Sequence, residues 1–386
     1  MSKYLPTGDF KWVDSLNDFD VMNISDKSCK GYILEVDLHY PKELHDLHSD
    51  FPLAPERHFD NKQLPKLLTT LYDKKKYIIH YETLKLYINL GLKIEKIHRV
   101  LEFSLSPWLK SYIDFNTNLR SEAKNEFEKE YFKLMNNSVY GRTMMNVRNH
   151  VDIRLCSNGS TVEKLITKPN FDRRTIFTEN LAAVHMKRTQ ISFKQPIYIG
   201  MCVLDLSKML MYDFYYNIIK KKYGNRVRLL YTDTDSLILE IKTNDFYQDI
   251  KINLDHFDTS DYPKDNIYGL RSKLYSHRIL DTEKEIKKAK GVKKNVVENK
   301  ICFNDFENCL LTKESKYIKQ NLFRTKKHDI FTVEQNKKAL SVYDDKRFIL
   351  DNGIDTLAWG HYKTNIDIND FVNHLNTLIK NQNQKD

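Results

Sequence analysis

The chain has no apolar run of 18 residues, and its mean hydropathy is −0.59, so no membrane-spanning helix is expected. It has few cysteines and no CxxC pair: Cys29, Cys156, Cys202, Cys302 and Cys309 are scattered. That spacing argues against a zinc module or a disulfide framework. It fits the reduced thiols of an intracellular protein, nuclear or cytoplasmic. Glycine and proline are scarce, at 11 and 9 of 386 residues, so the chain is neither fibrous nor low-complexity. Met1–Gly8 contains no apolar stretch, so no signal peptide is expected. What the chain does have is a hydrophobic fraction of 41%, enough to build the cores of two or three modules. Lys and Arg outnumber Asp and Glu by 62 to 52, a net charge of +10. Such an excess suits a polyanionic partner, but it also suits many unrelated proteins.

The pattern along the chain is mixed α/β. Prolines 52, 55 and 65 cluster among polar residues between Asp50 and Lys66, which reads as a surface loop. Between Lys74 and Phe103, β-like Tyr77-Ile78-Ile79 gives way to helix-like Leu84–Leu90 and a turn at Gly91. Thr117–Arg148 reads as helix, with few β-branched residues and charges three and four apart. From Ile197 a short strand is expected to lead into a helix over Leu204–Lys222, ended by Gly224. Two β-type runs follow, Val227–Tyr231 and Leu237–Ile241, with a polar turn between them.

That turn belongs to Tyr231-Thr232-Asp233-Thr234-Asp235-Ser236. Two carboxylates two residues apart, at the junction of two apolar strands, are held rather than free to wander. Hard divalent cations need such oxygens, and two ions about 3.5–4 Å apart can clamp a phosphoryl transfer. A plain hairpin turn built from Asp and Thr gives the same pattern, as does a DxD metal site of the glycosyltransferase kind.

A second cluster lies upstream, in Lys133-Leu134-Met135-Asn136-Asn137-Ser138-Val139-Tyr140-Gly141. On a helix, Tyr140 falls about 20° short of two turns from Lys133, and Asn137 about 40° past one turn. Lys133, Asn137 and Tyr140 therefore share a face, with Gly141 allowing close approach beside them. Leu134, Met135 and Val139 are expected to pack on the other side. An ammonium, an amide and a phenol suit a nucleoside triphosphate. A helix with a solvated polar face is the plainer alternative.

Taken together, K-x3-N-S-x-Y-G and Y-x-D-T-D-S resemble motifs B and C of family B DNA polymerases. The wider text is similar to the protein-primed branch, including the polymerases of Maverick/Polinton transposons. The similar segments include Gly31–Leu38, Leu44–His48, Ser106–Leu109, Leu204–Lys208, Met211–Phe214 and Tyr343–Arg347. The resemblance covers nearly the whole chain.

It implies an α+β right-hand polymerase fold of palm, fingers and thumb, carrying two insertions of the protein-priming type and incomplete at its N-terminus. Residues 1–24 would be palm, 25–112 a first insertion of terminal-protein-binding type, and 113–150 the fingers with motif B. Residues 151–195 would be a second insertion of processivity type, 196–266 the palm with motif C, and 267–386 the palm edge and a thumb-like region. By the same resemblance Asp233 and Asp235 are catalytic and hold Mg²⁺, with Asp235 touching both ions. Lys133, Asn137, Tyr140 and Gly141 bind the incoming nucleotide. Lys273 and Tyr275, in Leu270–Tyr275, stand for a K-x-Y element that holds primer DNA. In the basic run Lys287–Lys294, Lys290, Lys293 and Lys294 are assigned to DNA as well. The partners implied are a DNA primer–template, dNTPs and a terminal protein, with no membrane.

The chain departs from the family pattern in one respect that matters. Motif A, D-x-x-x-L-Y, supplies the other metal-binding aspartate, and no such string occurs. Val36-Asp37-Leu38-His39-Tyr40 has too short a spacing. The expectation is a polymerase fragment from a mobile element that keeps half of its two-metal site and has little activity alone. The rival expectation is a non-catalytic nucleic-acid-binding remnant. Reverse transcriptase is disfavoured, because Thr234 separates the two aspartates. His45 and His48 have helical spacing but no third clear ligand, and packing roles are expected for them.

Overall fold

The computed structural model describes residues 1–25, 27–56, 67–233, 236–246, 249, 266–271, 274–278, 285–326, 328–341, 346–352 and 355–373. Two units emerge. The larger comprises Pro6–Ser106, Leu204–Ile318 and Asn336–Asp386, the smaller Met1–Leu5, Pro107–Val203 and Lys319–Gln335.

The larger unit begins with a four-stranded sheet of order β1-β4-β2-β3, from β1 (Leu5–Trp12), β2 (Lys30–His39), β3 (Lys74–His80) and β4 (Lys93–Ser106). Period-two alternation explains β2: Leu34, Val36 and Leu38 are fully buried, while Glu35, Asp37 and His39 face outward. The outward row pairs across strands, Glu35 with Arg99 at 2.5 Å and Asp37 with His98 at 2.9 Å. Between β2 and β3 lies a short helix, α1 (His45–His48); after β3 comes α2 (Tyr81–Asn89), ended by Gly91 at φ +104°. Phe51, Leu53 and Ala54 are buried, so the described part of the proline-rich segment is core rather than surface loop.

The smaller unit opens with two helices, α3 (Lys110–Glu122) and α4 (Glu126–Thr143). The helical stretch expected over Thr117–Arg148 divides between these two. Asn125 breaks it, its side chain accepting from the Glu128 amide at 2.9 Å as the N-cap of α4. Strands β5 (Asp152–Cys156), β6 (Phe171–Thr178) and β7 (Leu181–Met186) form a sheet of order β5-β7-β6, with α5 (Gly159–Ile166) after β5. Its core is Cys156, Leu165, Val184 and Met186, backed by Val162 and Phe171.

Helix α6 (Ile197–Asp213) replaces the strand expected at Ile197. The reason is packing: Gly200 sits so close to Thr143 and Met144 that an added Cβ would collide with both. Beyond Asp213 the helix widens into a π-helix over Phe214–Lys220 and closes at Tyr223, before Gly224 at φ +55°. Its buried side is tyrosine-rich. Tyr212 donates to the Pro52 carbonyl at 2.8 Å and Tyr216 to that of Phe51 at 2.6 Å, so both phenols are buried without losing their hydrogen bonds. Asp205 accepts from the His80 amide at 3.0 Å, fixing α6 to the start of α2; burial raises the pKa of its carboxyl.

Strands β8 (Val227–Asp233) and β9 (Ser236–Ile241) follow, then β10 (Asn266–Arg271), β11 (Leu274–Arg278) and β12 (Glu285–Ala289) in one antiparallel sheet. The last strands are β13 (Lys316–Lys326) with β14 (Asp329–Leu340), and β15 (Phe348–Ile349) with β16 (Thr356–Leu357). A small core of Leu68, Trp359 and Phe371 ties the C-terminal segment to the N-terminal part of this unit. Among the described residues, no helix is long and apolar enough to cross a membrane.

Candidate active site

The β8–β9 hairpin carries the paired aspartates. Val227 pairs with Ile241, Thr232 with Leu237 and Asp233 with Ser236, so Asp233 is the last residue of β8. Its side chain, and Asp235 as a whole, lie outside the described residues. The hairpin is anchored from within: Val227 and Tyr231 are buried, and Val227 packs with Ile219 and Tyr223.

Three further attachments hold it. The carboxylate of Asp249 takes Lys222 at 2.9 Å and the hydroxyls of Tyr223 and Thr243 at 2.8 Å each. Those donors lower its pKa to about 2, Lys222 being the largest cause. On β8 itself, the Leu229 amide donates to Asp50 Oδ2 at 3.4 Å, and Arg228 reaches Asp355 at 3.6 Å. Arg347 then fixes the residue before Asp50, donating to the Ser49 carbonyl at 2.8 Å and to Thr356 Oγ1 at 2.7 Å. Asp50 and Asp249 were not expected from the sequence. Arg347 lies in the Tyr343–Arg347 segment, but nothing local indicates what it touches.

Motif B falls on α4. Lys133 pairs with Glu130 one turn back, at 3.2 Å, and is half-exposed. Asn137 and Gly141 are exposed and Tyr140 is half-buried, with burial raising its phenol pKa. A Cβ on Gly141 would meet nothing within 4 Å. The expected packing side is only partly right. Met135 and Val139 are half-buried, but Leu134 is 63% exposed. Asn136 faces α3 instead, donating to Thr117 Oγ1 at 3.4 Å, and Tyr112 donates to the Met135 carbonyl at 3.4 Å.

Lys273 lies outside the described residues. Tyr275 is in β11, paired in register with Gly269 of β10 and Lys288 of β12; its side chain is likewise outside them. Lys290, Lys293 and Lys294 are exposed around the turn at Gly291, φ +80°. Lys294 makes a loose pair with Glu298 at 3.8 Å. Lys337 joins this group unannounced by the sequence run, its Cε 3.1 Å from where a Gly291 Cβ would stand.

Histidines 45 and 48 are buried. His48 Nδ1 faces the Tyr40 hydroxyl at 2.9 Å, and His45 Nδ1 accepts from the Tyr362 amide at 3.1 Å. Elsewhere among the described residues, His39, Asp73 and Glu95 lie close enough to share a cation. They are already compensated: His39 pairs with Asp73 at 2.9 Å and Lys75 with Glu95 at 2.5 Å.

Comparison with known proteins bears on the fold and the family. The fold is similar to three structures of the Phi29 DNA polymerase. One is a ternary complex with primer-template DNA and incoming nucleotide substrates, at TM-score 0.56 and 13% identity, covering 88% of this chain and 55% of that one. A binary complex with primer-template DNA gives 0.52 and 14%, covering 87% and 55%. An orthorhombic crystal form gives 0.53 and 13%, covering 88% and 55%. The chain thus spans about half the length of these polymerases. A search among curated proteins finds no match. The family model for DNA polymerase type B, organellar and viral, matches residues 1–221, a stretch that includes Lys133–Gly141 and stops short of Tyr231–Ser236. The chain belongs to that family.

Proposed function

We propose that the chain serves template-directed DNA synthesis, the transfer of nucleotides from dNTPs to a primer 3′-hydroxyl in the protein-primed replication of a mobile element, with little activity alone because no D-x-x-x-L-Y string supplies the other metal-binding aspartate. The observation that carries this reading is the family match together with Asp233 at the end of a braced two-stranded hairpin, one residue before Thr234-Asp235. In this reading the hairpin and the sheet around it are palm, the α3–α4 pair is fingers, and the C-terminal strands are thumb-like. The β5–β7 sheet is an insertion that serves processivity, and the segment over residues 25–112 is one that receives a terminal protein.

Two carboxylates are hard oxygen donors, a set that suits Mg²⁺. Asp233 and Asp235 would hold the ion, which supplies charge neutralisation at the attacked α-phosphate and the leaving oxygen. The protein's own part is positioning. Lys133 neutralises the triphosphate, breaking its weak surface pair with Glu130 to do so. Tyr140 and Asn137 line the nascent pair on the exposed side of α4. Lys290, Lys293 and Lys294 take primer–template phosphates, with Lys273 and Tyr275 at the primer end.

The test is primer extension with Mg²⁺ and dNTPs, by this chain and by a version preceded by a D-x-x-x-L-Y segment. Each is repeated with Asp235→Ala. The expected result is little extension by the chain alone, and extension by the D-x-x-x-L-Y version that disappears with Asp235→Ala. Extension indifferent to Asp235 would overturn the site. Silence in every version, with salt-sensitive DNA binding retained, would overturn the activity and leave a nucleic-acid-binding protein.

A further inference from the structure

In the smaller unit, His185 of β7 and His328 at the tip of the β13–β14 hairpin meet through their Nε2 atoms, 143 residues apart in sequence. Their ring centroids lie 4.7 Å apart at 48°, and Phe177 of β6 places its ring edge-on to His328 at 5.5 Å. His185 is 5% exposed. His328 adopts φ +75°, a left-handed conformation that strains a non-glycine residue. The turn therefore accepts strain in a residue whose ring docks the hairpin on the sheet.

We infer that His185 and His328 form a proton-operated clasp, closed while one proton lies between the facing nitrogens and opened when each ring carries its own. With both rings neutral, one Nε2–H donates to the other Nε2. The first added proton goes to the far nitrogen of one ring, and its Nε2–H then makes a stronger, charge-assisted bond. The second proton sets two cationic N–H groups against each other, and the contact breaks.

Charged neighbours set where this happens. On β6, Arg173, in register with His185, pairs with Asp172 at 2.9 Å; on β5 the residue in register with His185 is the uncharged Ile153. Lys326 and Asp329 flank the hairpin tip in sequence. Burial, then Arg173 and His328, lower the pKa of His185 from 6.5, with Asp172 opposing them. Opening therefore falls on the acid side of pH 6.5. The inference is independent of the polymerase reading and is tested without DNA.

The experiment is amide hydrogen exchange of the full chain between pH 7.5 and 5, corrected for intrinsic rates, with α4 amides as the internal reference. For the wild type, protection over residues 319–335 is expected to fall about fivefold or more on acidification, the scale of one net hydrogen bond. His328→Gly relieves the turn strain and removes the ring. It is expected to lower protection at pH 7.5 and abolish the pH response. His185→Gln keeps a polar tip that can donate or accept, so the hairpin should stay docked at both pH values. Equal or greater protection in His328→Gly at pH 7.5 would overturn the clasp. So would a pH response that survives in either variant.

Discussion

Asp50 reaches the strand that ends in Asp233, its Oδ2 accepting from the Leu229 amide at 3.4 Å. A backbone amide inside a fold needs an acceptor, and this side-chain oxygen supplies one to β8 from outside the hairpin. The position of Asp50 depends in turn on Arg347, which holds the Ser49 carbonyl and both oxygens of Thr356. One guanidinium thus ties the first and last parts of the larger unit to β8.

Arg347→Ala is expected to cost about 2 kcal/mol, because partly buried charged hydrogen bonds to Ser49 and Thr356 are lost together. Arg347→Lys should recover less than half, since an ammonium cannot reproduce the planar fork. Urea denaturation of the three proteins measures both. Equal stability of Arg and Ala proteins would show that the C-terminal segment does not brace the hairpin.

Acid should destabilise the larger unit beginning near pH 6.5. Burial lowers the pKa of His48 to about 4 and that of His80 to about 3, from 6.5. The folded protein then binds fewer protons than the unfolded chain below pH 6.5. Stability falls as pH drops, until each folded value is passed. The slope is roughly 1.4 kcal/mol per pH unit for each ring, so about 2 kcal/mol apiece is gone at pH 5. His80→Phe keeps a buried ring without the charging penalty and should remove one such increment. Urea midpoints at pH 7 and pH 5 would show it, and an unchanged difference between the two pH values would contradict it.

Local pattern carried the helices and the motif hairpin into view, because their signals are periodic and short in range. Tyr77-Ile78-Ile79 is strand, Leu84–Asn89 is helix, and the runs beginning at Val227 and ending at Ile241 are paired strands, as their β-type and helix-type residues imply. Ile197 misled because β-branched neighbours favour strand locally, whereas close packing of Gly200 on Thr143 and Met144 favours helix. Leu134 misled because amphipathic spacing says which residues share a face, not which face is covered. Asp50, Arg347 and Lys337 were not legible as partners of anything, since their contacts span tens to hundreds of residues.

Lys74 offers a sharper stability test. It is 1% exposed, with its ammonium on Glu56 Oε1 at 2.6 Å, Thr70 Oγ1 at 2.6 Å and the Thr70 carbonyl at 3.2 Å. Lys74→Met is expected to cost about 3–5 kcal/mol, because Glu56 then keeps a charge without its main counterion. Adding Glu56→Leu should return part of that loss, giving a favourable coupling in the double-mutant cycle. Additive losses would show that the pair is not energetically linked. Thermal or urea unfolding measures each corner.

Gly141 separates stability from chemistry. It lies in the last turn of α4, where alanine is the better helix former by about 0.5–1 kcal/mol. The chain itself makes no demand for glycine there, since an added Cβ meets no atom within 4 Å. Gly141→Ala should therefore raise stability by about that amount, whereas Gly200→Ala should lower it. If the exposed side of α4 takes the incoming nucleotide, the added methyl stands where the substrate must approach. Primer extension by the version carrying the D-x-x-x-L-Y segment should then fall about tenfold or more, the scale of a 1.4 kcal/mol loss in the transition state. A gain in stability together with a loss of extension assigns the glycine to its ligand. A gain in both would remove Gly141 from the nucleotide face and leave Lys133, Asn137 and Tyr140 to be tested without it.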